Sequence, residues 1–406
     1  MKRRKTMPNK SYERKPKEKI PVLAICYDFD KTLSPDDMQA QGYIQSVGYD
    51  PKDFWKETNS CAEKNDMDNN LSWMYHMIYF AEGKVVVNKE NLKTYGSKVK
   101  LFDGVETWFE RINRYGEENK VKVEHYVISS GLKEMIEGTR IANVFEKIYA
   151  SSFFYNERGA AKWPAQVVNY TNKTQFLFRI EKGVLNINDS GVNDYFPPED
   201  VRVPFRNFVY IGDSDTDVPC MKLVNSLGGH SIGVFNPDKG NKKQVCEMID
   251  THRIKYFVPA DYTQGSDLEM LIKKIILKTV VNEMLENKSI ECQKEAKQLL
   301  NKQLEEQKVK ENKKNELIYS LINSQSFAMT LITIRKLNSF DNWTDDQREM
   351  ICKSILNPQV RYAMFYVLVQ RFFSTIVSAP NLNSPHVKHV RAVLASLKHN
   401  KSIQRD

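Results

Sequence analysis

The chain has 406 residues, of which 41% are hydrophobic and 27% charged, an ordinary balance for a globular protein with room for two or three domains. No apolar run approaches the ~20 residues of a membrane-spanning helix, and the basic N-terminus lacks the apolar stretch of a secretory signal. The six cysteines (Cys26, Cys61, Cys220, Cys246, Cys292, Cys352) are scattered with no CxxC pair, which argues against a zinc site or disulfide framework and for a reducing cytoplasm.

Residues 2–19 hold nine Lys or Arg against two Glu, a surplus of seven within a formal net charge of +9. Residues 1–20 therefore read as a disordered, solubilising arm, with a contact to nucleic acid or an anionic surface as the less favoured alternative. From Pro21 to about Asp261, short apolar runs alternate with helical stretches, the pattern of an α/β fold whose parallel strands are joined by crossover helices. Strands are predicted at 21–28, 121–129, 207–212, 231–235 and 255–262. Their near-continuous apolar character suits strands covered on both faces.

Residues 35–100 interrupt this rhythm with three amphipathic segments that start near Pro35, Pro51 and Asn69, and read as a separate helical cap inserted into a core of 21–34 and 101–265. Residues 147–170 read as two short strands around the turn Asn156-Glu157-Arg158-Gly159, and the polar stretch 184–205, with Pro197 and Pro198, as a loop. Residues 266–322 predict one or two long connecting helices whose Leu299, Leu300, Leu304, Val309 and Leu317 do not hold a heptad. Residues 323–406 predict a small helical module of four segments. Thr344 and Gln347 form a capping box for the second, and the aromatic run from Tyr362 to Phe373 reads as core packing, with self-association through it as the alternative.

Chemistry enters at Asp28-Phe29-Asp30-Lys31-Thr32-Leu33, immediately after the first apolar strand. Ligands of open parallel sheets bind beyond the carboxyl ends of the strands, which is where this motif puts two carboxylates. Residues 28 and 30 would point the same way if the chain stayed extended. Two acids at one strand mouth are costly to keep ionised without a cation between them. Taken alone, the pattern is as often a surface turn.

Gly212-Asp213-Ser214-Asp215-Thr216-Asp217 brings further carboxylates to the same edge from another strand. Oxygen ligands with no nearby His or Cys favour a hard cation such as Mg²⁺. An N-cap or Asx-turn is the structural alternative, one that Asp217 suits better than Asp213. Between the two motifs, Ile128-Ser129-Ser130-Gly131 closes a third strand and offers a hydroxyl and backbone N–H groups to an anion. Thr171-Asn172-Lys173-Thr174 starts a helix and supplies a cation. Singly, the serine is more often a cap and the lysine a solvated charge. In this order they assemble what phosphoryl transfer through a carboxylate requires: a nucleophile, a metal cluster, a hydroxyl donor and a balancing lysine.

These motifs resemble those of the haloacid-dehalogenase superfamily of phosphatases, in its phosphoserine-phosphatase-like branch, over roughly residues 21–262. That branch carries a helical cap between its first and second motifs. Leu101-Phe102-Asp103-Gly104-Val105 resembles its re-entry segment, with Asp103 in place of a proline. The resemblance implies a Rossmann-like, three-layer core with a parallel sheet, and Mg²⁺ as cofactor. Asp28 would then be the nucleophile that becomes an aspartyl-phosphate, and Asp30 the acid and base. Asp28, the Asp30 carbonyl and Asp213 would hold the metal with support from Asp217, while Thr32, Ser129, Ser130 and Lys173 would serve the phosphoryl group. The gap from Lys173 to Asp213 is long for the branch, which leaves Lys162 and Lys182 as alternatives. No Glu-and-Arg pair for a phosphoserine head group is evident, and Glu57, Glu63 and Trp73 are candidate cap contacts. The expected substrate is a small phosphorylated metabolite. Nucleic-acid ends and a regulatory role built on the C-terminal helices are the alternatives, and a phosphomutase or phosphotransferase is chemically open.

Overall fold

A computed structural model of the protein describes residues 12–240, 242–379 and 382–403. Strand β1 (Val22–Tyr27) is followed by the inserted helices α1 (Tyr43–Ser46), α2 (Pro51–Lys64), α3 (Asn69–Ala81) and α4 (Lys89–Gly96). Then come α5 (Val105–Glu118), β2 (Lys122–Leu132), α6 (Lys133–Gly138), β3 (Lys147–Tyr155), β4 (Ala161–Gln166) and α7 (Thr174–Lys182). β5 (Phe208–Gly212), α8 (Val218–Ser226), β6 (His230–Phe235), α9 (Lys243–Asp250) and β7 (Tyr256–Pro259) complete the α/β core. All five expected strands are present, and the two around the 156–160 turn pair as an antiparallel hairpin.

The sheet has seven strands in the order β4-β3-β2-β1-β5-β6-β7, parallel throughout except for the β3–β4 pair. The chain runs outward from β1 through β2 and β3, then returns to place β5 on the other side of β1. The mouth of β1 is therefore a topological switch point, the usual ligand crevice of such sheets. β1 is buried along its whole length, and its side chains alternate as a strand requires. Leu23, Ile25 and Tyr27 enter the apolar core on one face, and Val22, Ala24 and Cys26 enter the core on the other.

Two expectations for this region change. The segment 35–48 is not one amphipathic helix, because Gly42 at φ +130° breaks it into a short 3₁₀ turn at Met38–Ala40 and the four-residue α1. The insertion is also not separate in its packing: Tyr43, Phe54, Met74 and Met77 share one apolar cluster with Leu23, Ile25 and Tyr27.

The basic arm differs as well. Residues 1–11 lie outside the described residues, but 12–20 are not a free arm. Arg14 makes two hydrogen bonds to Asp189, at 2.8 and 2.9 Å. The Lys15 backbone N–H donates to the Gly183 carbonyl at 2.9 Å, and its ammonium pairs with Glu124 at 3.1 Å and with Glu146. Charge surplus predicts disorder only where no acidic partner waits, and here three carboxylates do. The 184–205 stretch is irregular as expected, with three short 3₁₀ turns between α7 and β5.

Helix α10 (Asp267–Ile322) is one continuous helix of 56 residues, and the chain divides into two compact units between Ile290 and Glu291, inside it. The second unit adds α11 (Phe327–Leu337), α12 (Asp345–Lys353), α13 (Pro358–Ala363), α14 (Val367–Val377) and α15 (Pro385–Ile403). Its core gathers Ile318, Ile334, Ile351, Val369, Phe372 and Phe373. The Thr344–Gln347 capping box is formed. The third expected helix breaks at Tyr366, whose backbone is extended. As a result Phe372 and Phe373 are buried while Tyr362 and Phe365 are 60% and 66% exposed, so the aromatic run is only half core. Among the described residues, no helix is long and apolar enough to cross a membrane.

Candidate active site

A cavity of about 470 Å³ opens at the carboxyl ends of β1, β2 and β5 and is lined by Asp28, Asp30, Ser129, Ser130, Gly131 and Asp213, among others. Each arrives for a local reason. β1 ends at Tyr27, and the next turn draws the N–H groups of Thr32, Leu33 and Ser34 onto the Phe29 carbonyl, with Lys31 in the left-handed region at φ +56°. The chain therefore does not stay extended past Asp28, yet both carboxylates face the cavity.

The Asp28 carboxylate accepts the Phe29 N–H at 2.8 Å and lies 3.3 Å from the Lys173 ammonium. Burial, with Asp217 nearby, pushes it up to about 6, against the pull of Lys173, the Phe29 N–H and the Ser129 hydroxyl. Burial, then Asp37 and Asp28, raise Asp30 well above the usual carboxylate range. Burial, then Asp217 and Asp28, do the same to Asp213.

Lys173 is fully buried at the start of α7, 2.7 Å from Asp217. Burial alone would favour its neutral form, but Asp217 and Asp28 outweigh that and keep it charged. The two alternatives lie elsewhere. Lys162 is on the exposed side of β4, and Lys182 donates to the Val192 and Asp194 carbonyls. The long gap after Lys173 is filled by the irregular 184–205 stretch, so it does not displace the lysine.

Asp28, Asp213 and Asp217 each offer a carboxylate oxygen within 4.8 Å of the others. Asp217 Oδ1 accepts from Lys173 and, at 2.9 Å, from the Tyr210 hydroxyl, whereas its buried Oδ2 has no partner. An orphaned carboxylate oxygen beside two further acids, with oxygen donors only, fits a hard divalent cation. The Asp30 side chain stays outside this cluster: its Oδ1 accepts the Met38 N–H at 2.8 Å, and Gly131 leaves room for its Oδ2, since a Cβ there would stand 2.8 Å away. Its backbone carbonyl remains the part that the resemblance assigns to the metal.

Ser129 and Ser130 line the cavity, and the Ser129 hydroxyl accepts the Gly131 N–H at 3.1 Å. β2 runs on to Leu132 with an irregular register, so these serines sit in a distorted strand end and not at a helix start. Thr32 is fully buried with its hydroxyl unpartnered, and its carbonyl accepts the Tyr262 hydroxyl at 2.9 Å, so the turn is pinned from behind.

The cap contacts also differ from expectation. Glu57, Glu63 and Trp73 are not among the lining residues. The roof is the turn before α3 and the loop before α7: Met67, Asp68, Asn69, Asn70, Asn169 and Tyr170. Asn169 ties the two together, donating to Asp68 at 2.9 Å while its carbonyl oxygen accepts from Thr171 and Asn172. The signal in the sequence was polar Asx-type capping, which also marks any ordinary turn.

No family model matches the chain. It is 27% identical over 286 residues, 64% of this chain and 99% of the relative, to an uncharacterized protein of Borreliella burgdorferi strain B31. Among solved structures it is similar to a HAD-family hydrolase from Salmonella enterica subsp. enterica serovar Typhi, at 15% identity and TM-score 0.42 over 63% of this chain and 72% of that one. It is also similar to a phospho-aspartyl intermediate analogue of phosphoserine phosphatase, at 14% identity and TM-score 0.38 over 63% of this chain and 99% of that one. The sheet order, the helical insertion after β1 and the closeness of Asp28, Lys173, Asp213 and Asp217 at one switch point give the chain a three-layer α/β core of mostly parallel strands, the architecture that its resemblance to haloacid-dehalogenase phosphatases led us to expect.

Proposed function

We propose that the protein is a Mg²⁺-dependent phosphomonoesterase that works through an aspartyl-phosphate on Asp28 and acts on a small phosphorylated substrate. The observation that carries this reading is the Asp28 carboxylate at the cavity floor, 3.3 Å from a fully buried lysine and clustered with Asp213 and Asp217. Asp28, the Asp30 carbonyl, Asp213 and Asp217 would hold the cation, which when bound offsets their charge and polarises the phosphoryl oxygens.

The chain's own groups divide the rest of the work. An Asp28 oxygen bonds to phosphorus as the ester P–O bond breaks, and Asp30, whose burial beside Asp37 and Asp28 favours the protonated form, gives its proton to the leaving oxygen. Asp30, now a carboxylate, takes a proton from water. The water oxygen bonds to phosphorus, the bond to Asp28 breaks and phosphate leaves. Lys173 and the Ser129 hydroxyl face the phosphoryl oxygens throughout. The insertion roofs the cavity and limits water, which suits a small substrate. Six free cysteines go with a reducing, cytoplasmic setting.

Phosphate release from a panel of phosphomonoesters with Mg²⁺, comparing the wild type with Asp28→Asn, tests the reading. Turnover that vanishes in the variant is expected, and equal turnover by both overturns it.

A further inference from the structure

We infer that the substrate's leaving group carries an ammonium and no carboxylate, so that the cavity takes an amino-alcohol phosphate of the phosphoethanolamine or phosphocholine type. This rests on the phosphatase reading above and adds a substrate class to it.

The cavity lining contains five carboxylates, Asp28, Asp30, Asp37, Asp68 and Asp213, and one cation, Lys31. Lys31 is already paired with Asp37 at 3.0 Å. On the floor, the acids of the metal cluster and buried Lys173 have the phosphoryl group to serve. The roof, which meets the rest of the substrate, offers Asp68, asparagine amides and Tyr170, with neither Arg nor Lys among the lining residues there. A substrate carboxylate would meet Asp68 with no cation to neutralise it, a like-charge contact in a partly enclosed space. An ammonium would meet its complement.

The roof is also built to hold that complement in place. Asp68 Oδ1 accepts the N–H groups of Asn70 at 2.8 Å and Leu71 at 3.2 Å, and Oδ2 accepts the Asn169 amide at 2.9 Å. Three of the roughly four acceptor positions of a carboxylate are thereby filled, which fixes the group and leaves one for the N–H of a phosphoethanolamine-type ammonium, while a quaternary ammonium would meet the carboxylate through charge alone. Asn70 is committed elsewhere, to Trp73 and the Val168 carbonyl. Tyr170, next to Asn169, lines the cavity with 56% of its surface exposed, an unusual position for an aromatic ring and one that suits a cation over its face.

The test measures kcat/KM of the full chain with Mg²⁺ on five compounds: phosphoethanolamine, phosphocholine, phosphoserine, glycerol phosphate and p-nitrophenyl phosphate. Phosphoserine differs from phosphoethanolamine only by a carboxylate, and glycerol phosphate is the neutral control. The expected result is a preference for phosphoethanolamine and phosphocholine over phosphoserine of about tenfold or more. Asp68→Asn keeps the α3 cap, because Asn caps as well as Asp, and should cut the phosphoethanolamine-to-phosphoserine ratio about tenfold. A preference for phosphoserine or glycerol phosphate overturns the inference, as does a ratio unmoved by Asp68→Asn. Asp28-dependent cleavage of p-nitrophenyl phosphate without the ammonium preference overturns the inference and spares the phosphatase reading. No turnover of any compound overturns both.

Discussion

A Cβ built on Gly212 would stand 2.4 Å from Oδ2 of Asp217. The last residue of β5 is a glycine so that a buried carboxylate, five residues further on, can fold back against the strand end. There Asp217 receives the Lys173 ammonium and the Tyr210 hydroxyl. Gly212→Ala should push Asp217 off that seat and loosen Lys173 with it. We expect a stability loss of about 1–3 kcal/mol in urea unfolding, as for an overpacked core, and a fall in phosphate release far larger than the folded fraction explains.

Removal of the metal gives a second prediction. Asp28, Asp213 and Asp217 stand close together and buried or half-buried, so without a cation their mutual repulsion opposes folding. Mg²⁺ at about 100 times its Kd should stabilise the protein by about 2.7 kcal/mol, and a chelator should reverse this and abolish turnover. Asp213→Asn should remove the Mg²⁺ effect on the melting temperature while leaving the metal-free protein as stable as the wild type or more so. A Mg²⁺-dependent rise in the melting temperature of the variant equal to that of the wild type would contradict the assignment.

The lysine assignment is open to a direct comparison. Lys173 is the charge partner of two buried carboxylates, so Lys173→Met leaves both uncompensated and should cost about 3–5 kcal/mol together with all activity. Lys162→Met and Lys182→Met alter groups away from the cavity lining and should retain turnover within about twofold. Loss of turnover in Lys162→Met or Lys182→Met, with the fold intact, would reassign the role.

The sequence carried the floor of this site much better than its roof. Asp28, Ser129, Lys173 and Asp213 follow or precede strong periodic elements, and strand-end chemistry has few forms, so their order was readable. The setting of Thr32 was not legible because the motif sits in a turn, and where a turn residue points depends on the left-handed Lys31 and the Tyr262 anchor. Asp68, Asn169 and Tyr170 gave no signal beyond turn chemistry, and they meet across about 100 positions of chain. Arg14 and Lys15 read as a solvated charge run because their partners, Asp189 and Glu124, are equally remote in sequence.

Those remote partners set the last prediction, which concerns acid. Burial alone would raise the Glu124 carboxyl, but two hydrogen bonds from Arg202, at 2.8 and 2.6 Å, together with Tyr126 and Lys15, hold it down at about 2. A carboxylate depressed in the folded state stabilises the fold above its unfolded value, near 4.5, and loses that contribution as pH falls toward 2. The shift corresponds to about 3 kcal/mol. His125 works in a window above this one. Burial holds the ring down at about 3, so below about 6.5 the unfolded chain takes up a proton that the folded one does not, and stability falls by about 1.4 kcal/mol per pH unit. Urea unfolding should therefore show a His125 contribution that declines from near pH 6.5, opposed by the raised carboxyls of Asp28, Asp30 and Asp213, and a Glu124 contribution that steepens the profile below 4.5. In Glu124→Gln the steepening should vanish, with stability at pH 7 lower by several kcal/mol because Arg202 is left buried without its carboxylate. A slope between pH 6.5 and 4.5 that is the same in His125→Asn as in the wild type would rule out a buried neutral His125.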